Sequence, residues 1–147
     1  MVLVILNTIN MPTRKNRVFI DTNIFVALRD KNDSNHKRAV QILERLIKAD
    51  VIFFTSSDVI GETLTVISRK LGKTQAVKFL KEVEGMAREI FVDENLHRIS
   101  RNFFTEVRSK TISFVDCSNV VVMKNSKIKT IFSFDEDFKK MGVKLAG

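Results

Sequence analysis

The chain has 147 residues, 44% of them hydrophobic, which is enough for one domain with a substantial core. Its 25 Lys and Arg outnumber 17 Asp and Glu, and the net charge of +8 favours a polyanionic partner such as RNA or DNA. A single cysteine excludes an internal disulfide and a multi-cysteine zinc site, and two distant histidines argue against a histidine-based metal site. Any metal chemistry must therefore use oxygen ligands.

The beginning of the chain is apolar but carries no export or membrane signal. No apolar run approaches the roughly 18 residues of a membrane span, and MVLVILNTINM lacks the basic region and cleavage site of a signal peptide. We therefore expect a cytoplasmic protein with no membrane partner. Residues 1–17 are an N-terminal extension to a domain over 18–147. Two interpretations of the extension stay open: an extra strand, or sequence upstream of a true start at Met11.

The first half of the domain alternates apolar strands with helices. The run Val18 to Ile20 is typical of a fully buried parallel strand, and apolar residues resume in a helix that reaches Leu28. The elements that follow are a helix over 35–48, a strand over 51–55, a helix ending at Gly72 and a helix over 74–84 that ends near Gly85.

The second half continues the alternation. It contains a strand over 89–92, a helix over 94–107, a buried helix from Ser113, a strand over 129–134, a helical turn over 135–140 and a strand over 143–145. This order predicts an α/β fold, a three-layer α/β/α sandwich around a mainly parallel sheet of about five strands. Ile99 and Phe104 are assigned to the inner side of helix 94–107. Since most of the 12 phenylalanines lie in such apolar runs, and Trp and Tyr are absent, little aromatic surface is expected for base stacking.

Acidic residues beside buried apolar sequence are the candidate site. They are Asp21, Glu62, Asp116 and Asp135, with Asp137 close by. Carboxylates that converge repel one another and have raised pKa values unless a cation lies between them. Mg²⁺ or Mn²⁺ takes oxygen ligands and activates water for phosphodiester cleavage, so the pattern predicts a divalent-metal site.

Each acid also has a structural interpretation. Ser113 and Asp116 fit the S-x-x-D pattern of a helix capping box, and Asp21 or Thr22 fits a helix N-cap. Glu62 fits a surface ion pair with Arg69 or Lys70, and Asp135 and Asp137 fit helix N-terminal charges. The joint occurrence of the acids favours the functional interpretation.

Four motifs occur in an order that resembles a known family. They are FIDTNIF at 19–25, Glu62 within VIGETLTVISRK, Asp116 within SFVDCSNVVVMK, and IFSFDEDFKKMGV with Ser133, Asp135, Asp137 and Phe138. The chain resembles PIN-domain ribonucleases, and among them VapC-type toxins and archaeal relatives, from Val18 to Val143.

The resemblance implies a Mg²⁺- or Mn²⁺-dependent endoribonuclease that hydrolyses phosphodiester bonds of single-stranded RNA. Asp21, Glu62 and Asp116 correspond to metal-holding catalytic acids and Asp135 to the fourth. The supporting residues are Asn23, Thr22, Ser133 and Asp137; for Asp137 a helix N-terminal charge is favoured over ligation of the metal. The resemblance also implies a small antitoxin protein as partner and a homodimer. The alternative is a non-catalytic PIN-like RNA-binding module or RNA-processing factor.

Overall fold

The computed structural model describes residues 16–147, so both interpretations of the extension lie outside the described residues. The strands are β1 (Arg17–Ile20), β2 (Ile52–Ser56), β3 (Arg88–Ile90), β4 (Thr130–Phe132) and β5 (Lys144–Leu145). The helices are α1 (Thr22–Arg29), α2 (His36–Lys48), α3 (Ser57–Leu71), α4 (Lys73–Met86), α5 (Glu94–Glu106), α6 (Phe114–Asn125) and α7 (Asp137–Lys140).

All strand pairs in the sheet are parallel, in the order β3-β2-β1-β4-β5. β1 is central: Phe19 lies opposite Phe54 of β2 on one side and Ile131 of β4 on the other. The chain builds outward from β1 through β2 to β3, then returns to place β4 on the opposite side. The order therefore reverses between β1 and β4, the position where open α/β sheets bind ligands at their carboxyl ends.

The helices form two groups. α1 contacts α2 and α3, α3 contacts α4, and α5 packs against α6. Right-handed crossovers that run in opposite directions across a sheet place their helices on opposite faces. The predicted three-layer sandwich with a five-stranded parallel sheet is confirmed.

The core is centred on β1, β4 and α6. Phe19, Ile20, Ile131 and Phe132 are fully buried. In α6 every residue from Cys117 to Met123 is buried, because this helix is covered by α5 and α3 as well as by the sheet. A helix that is apolar on nearly all sides is stable only in such a position.

Two details differ from the sequence prediction. α4 passes through Gly85 and ends at Met86. Ile99 and Phe104 are 43% and 44% exposed, so their assignment to the inner side of α5 is wrong: only the stripe that includes Leu96 and Ser100 is buried. No helix within residues 16–147 has the length and apolar character needed to cross a membrane.

Phe138 anchors the end of the domain, and its replacement tests the packing. The ring is fully buried on the four-residue helix α7, which follows the loop after β4, residues 133–136, called the β4 loop below. We expect Phe138→Ala to lower the free energy of unfolding by about 3–5 kcal/mol, measured by urea denaturation. The control is Phe91→Ala, since Phe91 is 71% exposed and its loss should change stability by less than about 0.5 kcal/mol. Equal effects of the two substitutions would contradict this packing.

Candidate active site

Asp21 is a buried carboxylate at the end of β1 and the N-cap of α1. Its Oδ1 accepts hydrogen bonds from the Thr22 amide at 2.8 Å and from Asn119 Nδ2 at 3.2 Å. Its Oδ2 accepts from Ser133 Oγ at 2.8 Å and from Asn23 Nδ2 at 3.3 Å. The carboxylate is thus fixed by groups from α1, from α6 and from the loop that follows β4.

Ser133 and Asn23 join the loops that follow β1 and β4. Ser133 Oγ accepts from Asn23 Nδ2 at 3.0 Å and from the Asp135 amide at 3.1 Å. Asn23 Oδ1 accepts from the Phe134 amide at 3.2 Å. These contacts fix the β4 loop, and with it Asp135, beside Asp21.

A cleft of about 400 Å³ opens at this edge of the sheet and brings the predicted acids together. Its acidic lining residues are Asp21, Asp33, Glu62, Asp116 and Asp135. The others are Thr22, Asn23, Val26, Asn35, Val66, Lys70, Ser113 and Phe134. The lining therefore carries five acids and one cation.

Asp116 both caps a helix and lines the cleft. Its Oδ2 accepts from the Ser113 amide at 2.9 Å, and its own amide donates to Ser113 Oγ at 3.1 Å, which completes a capping box at α6. The same carboxylate lines the cleft. The capping box therefore fixes the Asp116 carboxylate at a position where it lines the cleft.

Burial, and to a smaller extent neighbouring negative charge, raises the pKa values of Asp21, Glu62 and Asp116. Burial raises the pKa of Asp21 to about 7, with smaller contributions from the charges of Asp116 and Glu62, while the hydrogen bonds from Ser133 and Thr22 act in the opposite direction. Burial and the charge of Asp116 raise the pKa of Glu62. Burial also raises the pKa of Asp116, and the charge of Asp135 adds to this effect.

Asp137 lies apart from the cleft lining. Its carboxylate accepts from Thr111 Oγ1 at 2.8 Å and pairs with Lys140 at 2.8 Å, and these contacts lower its pKa. Its amide donates to Asp135 Oδ1 at 2.9 Å. Asp137 therefore occupies the place of a helix N-terminal charge, and it contacts the site only through its backbone.

Four residues of the site were missed in the sequence. Asn119 is fully buried and donates a hydrogen bond to Asp21. The sequence could have indicated it, because a polar side chain within the apolar run of α6 requires a hydrogen-bond partner. Lys70 lies two helical turns beyond Glu62 on α3, so its spacing of eight residues was a usable signal. Asp33 and Phe134 lie in loops, where no periodicity indicates the direction of a side chain.

The donor chemistry of the cleft fits a hard divalent cation. Every ionisable group that lines it, apart from Lys70, is a carboxylate. Within residues 16–147, no three histidine, cysteine or acidic side chains already form a closed set of metal ligands. Mg²⁺ needs no such cage, because it keeps several waters and binds through one or two carboxylates together with substrate phosphates.

The family comparison agrees with this fold. The family model described as PIN domain matches residues 18–144, and the chain belongs to this family. It is 29% identical over 126 residues to the 23S rRNA-specific endonuclease VapC20 of Mycobacterium tuberculosis, covering 85% of this chain and 94% of that protein. It is 37% identical over 67 residues to Ribonuclease VapC1 of Aquifex aeolicus, 46% of each chain.

Solved structures give the same result. The crystal structure of Mycobacterium tuberculosis VapC20, described as a sarcin-ricin loop cleaving toxin, superposes with a TM-score of 0.76 at 27% identity, over 86% of this chain and 95% of that one. VapBC2 from Rickettsia felis, bound to promoter DNA, matches with a TM-score of 0.61 at 16% identity, over 88% of this chain and 96% of that one. The second match shows a shared fold.

The raised pKa of Asp21 predicts a pH-dependent stability. Because its pKa in the folded state is about 7, against 3.8 ordinarily, the folded state binds more protons than the unfolded chain between these values. The contribution of Asp21 to stability is therefore greatest below about pH 4 and is lost as the pH rises through 7.

We expect the free energy of unfolding of Asp21→Asn to rise by on the order of 2–4 kcal/mol relative to that of wild type when the metal-free proteins are moved from pH 4 to pH 8. Urea denaturation in EDTA measures this change, and Glu94→Gln, at an exposed position on α5, is the control. A difference between Asp21→Asn and wild type that stays constant with pH would contradict the assigned pKa.

Proposed function

We propose that this PIN domain is a divalent-metal-dependent endoribonuclease that hydrolyses phosphodiester bonds of single-stranded RNA in the acidic cleft. The ribonuclease class follows from the family and from the relatives, which are named as an endonuclease and a ribonuclease. The observation that carries the mechanism is the convergence of Asp21, Glu62, Asp116 and Asp135, from four separate segments, on one cleft.

The carboxylates of the cleft are suited to binding a cation. Asp21, Glu62, Asp116 and Asp135 would hold Mg²⁺ or Mn²⁺. When bound, the ion supplies Lewis acidity at the phosphate and lowers the pKa of a water. Ser133 and Asn119 fix the Asp21 carboxylate, so that it needs no reorganisation during the reaction.

Positive charge at the cleft wall suits the RNA backbone. Glu62, Val66 and Lys70 form one stripe along α3, and eight residues of helix separate the acid from Lys70 by roughly 12 Å along the axis. At that separation Lys70 is suited to a phosphate farther along the strand from the bond that is cut. The net charge of +8 supplies further attraction to RNA.

The first substrate to test is an exposed loop of ribosomal RNA. This choice rests on the Mycobacterium tuberculosis relative, which is named for its action on 23S rRNA and aligns over 85% of this chain. An unpaired loop also suits an open cleft, because its bases are accessible without melting a duplex. A non-catalytic RNA-binding module is disfavoured, since such a module has no need of four carboxylates in its cleft.

We also propose a small antitoxin protein as partner, and a homodimer. The support is the similarity to the VapC20 toxin and the apolar side chains left exposed, among them Leu80 on α4 and Ile99 on α5. Light scattering that reports the mass of a single chain, 16.9 kDa, would exclude the dimer. Undiminished cleavage in the presence of the co-expressed neighbouring gene product would exclude that product as the antitoxin.

Replacing single acids tests the nuclease assignment. We expect Asp21→Asn and Asp116→Asn each to reduce the cleavage rate of single-stranded RNA in Mg²⁺ by about 100-fold or more, because each removes negative charge from the metal site. The matched control is Asp137→Asn, which removes an acid outside the cleft lining and should retain activity within about threefold of wild type. The assay is gel analysis of a labelled oligonucleotide, with EDTA abolishing cleavage. Wild-type rates in Asp21→Asn would exclude the proposed mechanism.

A further inference from the structure

We propose that Phe134 and Arg38 together form a nucleobase subsite in the catalytic cleft, where one unpaired base of the RNA stacks beside the cleaved bond. The inference rests on the proposed ribonuclease function and adds a residue-level basis for substrate choice. It assigns base stacking to Phe134, although the sequence predicts little aromatic surface for bases.

Phe134 is the one aromatic residue among the described residues that line the cleft. It lies between Ser133, which bonds Asp21, and Asp135, which lines the same cleft. The ring is half-buried and the backbone is held by the hydrogen bond from its amide to Asn23 Oδ1 at 3.2 Å. The ring therefore adjoins Asp135 in the chain, and the contacts of Asn23 and Ser133 hold the backbone of both residues.

Arg38, which lies against the Phe134 ring, is the second member of the proposed subsite. It is an exposed residue on α2, and its guanidinium carbon lies 5.0 Å from the centre of the Phe134 ring. In the described part of the chain no carboxylate forms an ion pair with it. The flat guanidinium group is therefore oriented by the ring and remains available to a ligand.

Such a pair suits an unpaired base better than it suits a phosphate alone. Single-stranded RNA is recognised by stacking of splayed bases on aromatic rings and on arginine planes. Val26 and Val66 add apolar surface to the same cleft, and such surface favours contact with a base over contact with a charged phosphate. The acids repel a phosphate that lacks a bound cation, whereas a neutral base is not repelled.

The test compares RNA oligonucleotides in which each position in turn is abasic. The variants are Phe134→Leu, which keeps apolar volume but removes the ring, and Arg38→Lys, which keeps the charge but removes the plane. The controls are Phe91→Leu and Arg45→Lys, at exposed positions outside the cleft lining. The readout is kcat/KM for each pair of enzyme and RNA, with melting temperatures to verify folding.

For the wild-type protein we expect one abasic position next to the cut to lower kcat/KM by about tenfold or more, because a stacked base is lost. Phe134→Leu should be slower on intact RNA by a similar factor and should lose little more at that position. If removal of that base lowers kcat/KM of Phe134→Leu by the same factor as that of wild type, the proposed subsite is wrong. Full activity of Arg38→Lys would show a phosphate contact only and would overturn the stacking role of Arg38.

A binding measurement separates this proposal from the nuclease assignment. RNA with 2-aminopurine at the identified position, or at each position in turn when no cleavage occurs, is bound to the protein in EDTA, where no reaction takes place. Stacking should quench the fluorescence with the wild-type protein and not with Phe134→Leu. Quenching without cleavage would contradict the nuclease assignment and support the base subsite. Cleavage without quenching at any position would support the nuclease assignment and contradict the subsite.

Discussion

The burial of an acid among other acids is the constraint on which this structure depends. Asp21 is 6% exposed, and burial together with Asp116 and Glu62 raises its pKa to about 7. Four hydrogen bonds hold the carboxylate but do not cancel that effect. A fold that needed only a helix cap at this position would be more stable with a neutral residue. The divalent cation proposed for the cleft would account for this arrangement.

The sheet determines where this convergence occurs. Because β1 and β4 are adjacent and parallel, the residues that follow them, Asp21 and Ser133, lie side by side at the carboxyl edge. The reversal of strand order between them leaves a crevice that α1 and the β4 loop line. The capping box of α6 then directs Asp116 into the same crevice. Topology and local capping together thus assemble the site.

Much of the fold was predictable because its signals are local. The apolar run before Asp21 and the cap of α6 depend on neighbouring residues, so the sequence located each of them, and the PIN family and α/β/α architecture are confirmed. The exposure of Ile99 and Phe104 was not predictable, because it depends on how widely α6 covers α5. The places of Phe134 and Asp33 in the cleft depend on loop conformation, which no periodicity encodes. Asp135 lines the cleft and Asp137 does not, and the spacing of the two acids in the sequence could not distinguish them.

The central claim is that a divalent ion takes the place of the proton held by Asp21. Calorimetric titration with Mn²⁺ at pH 6, in two buffers of different ionisation enthalpy, measures the protons released for each ion bound. With the pKa of Asp21 at about 7, the wild-type protein should release about one proton per ion, and Asp21→Asn should bind more weakly and release less. Tight binding without proton release, or equal binding by both proteins, would contradict the account.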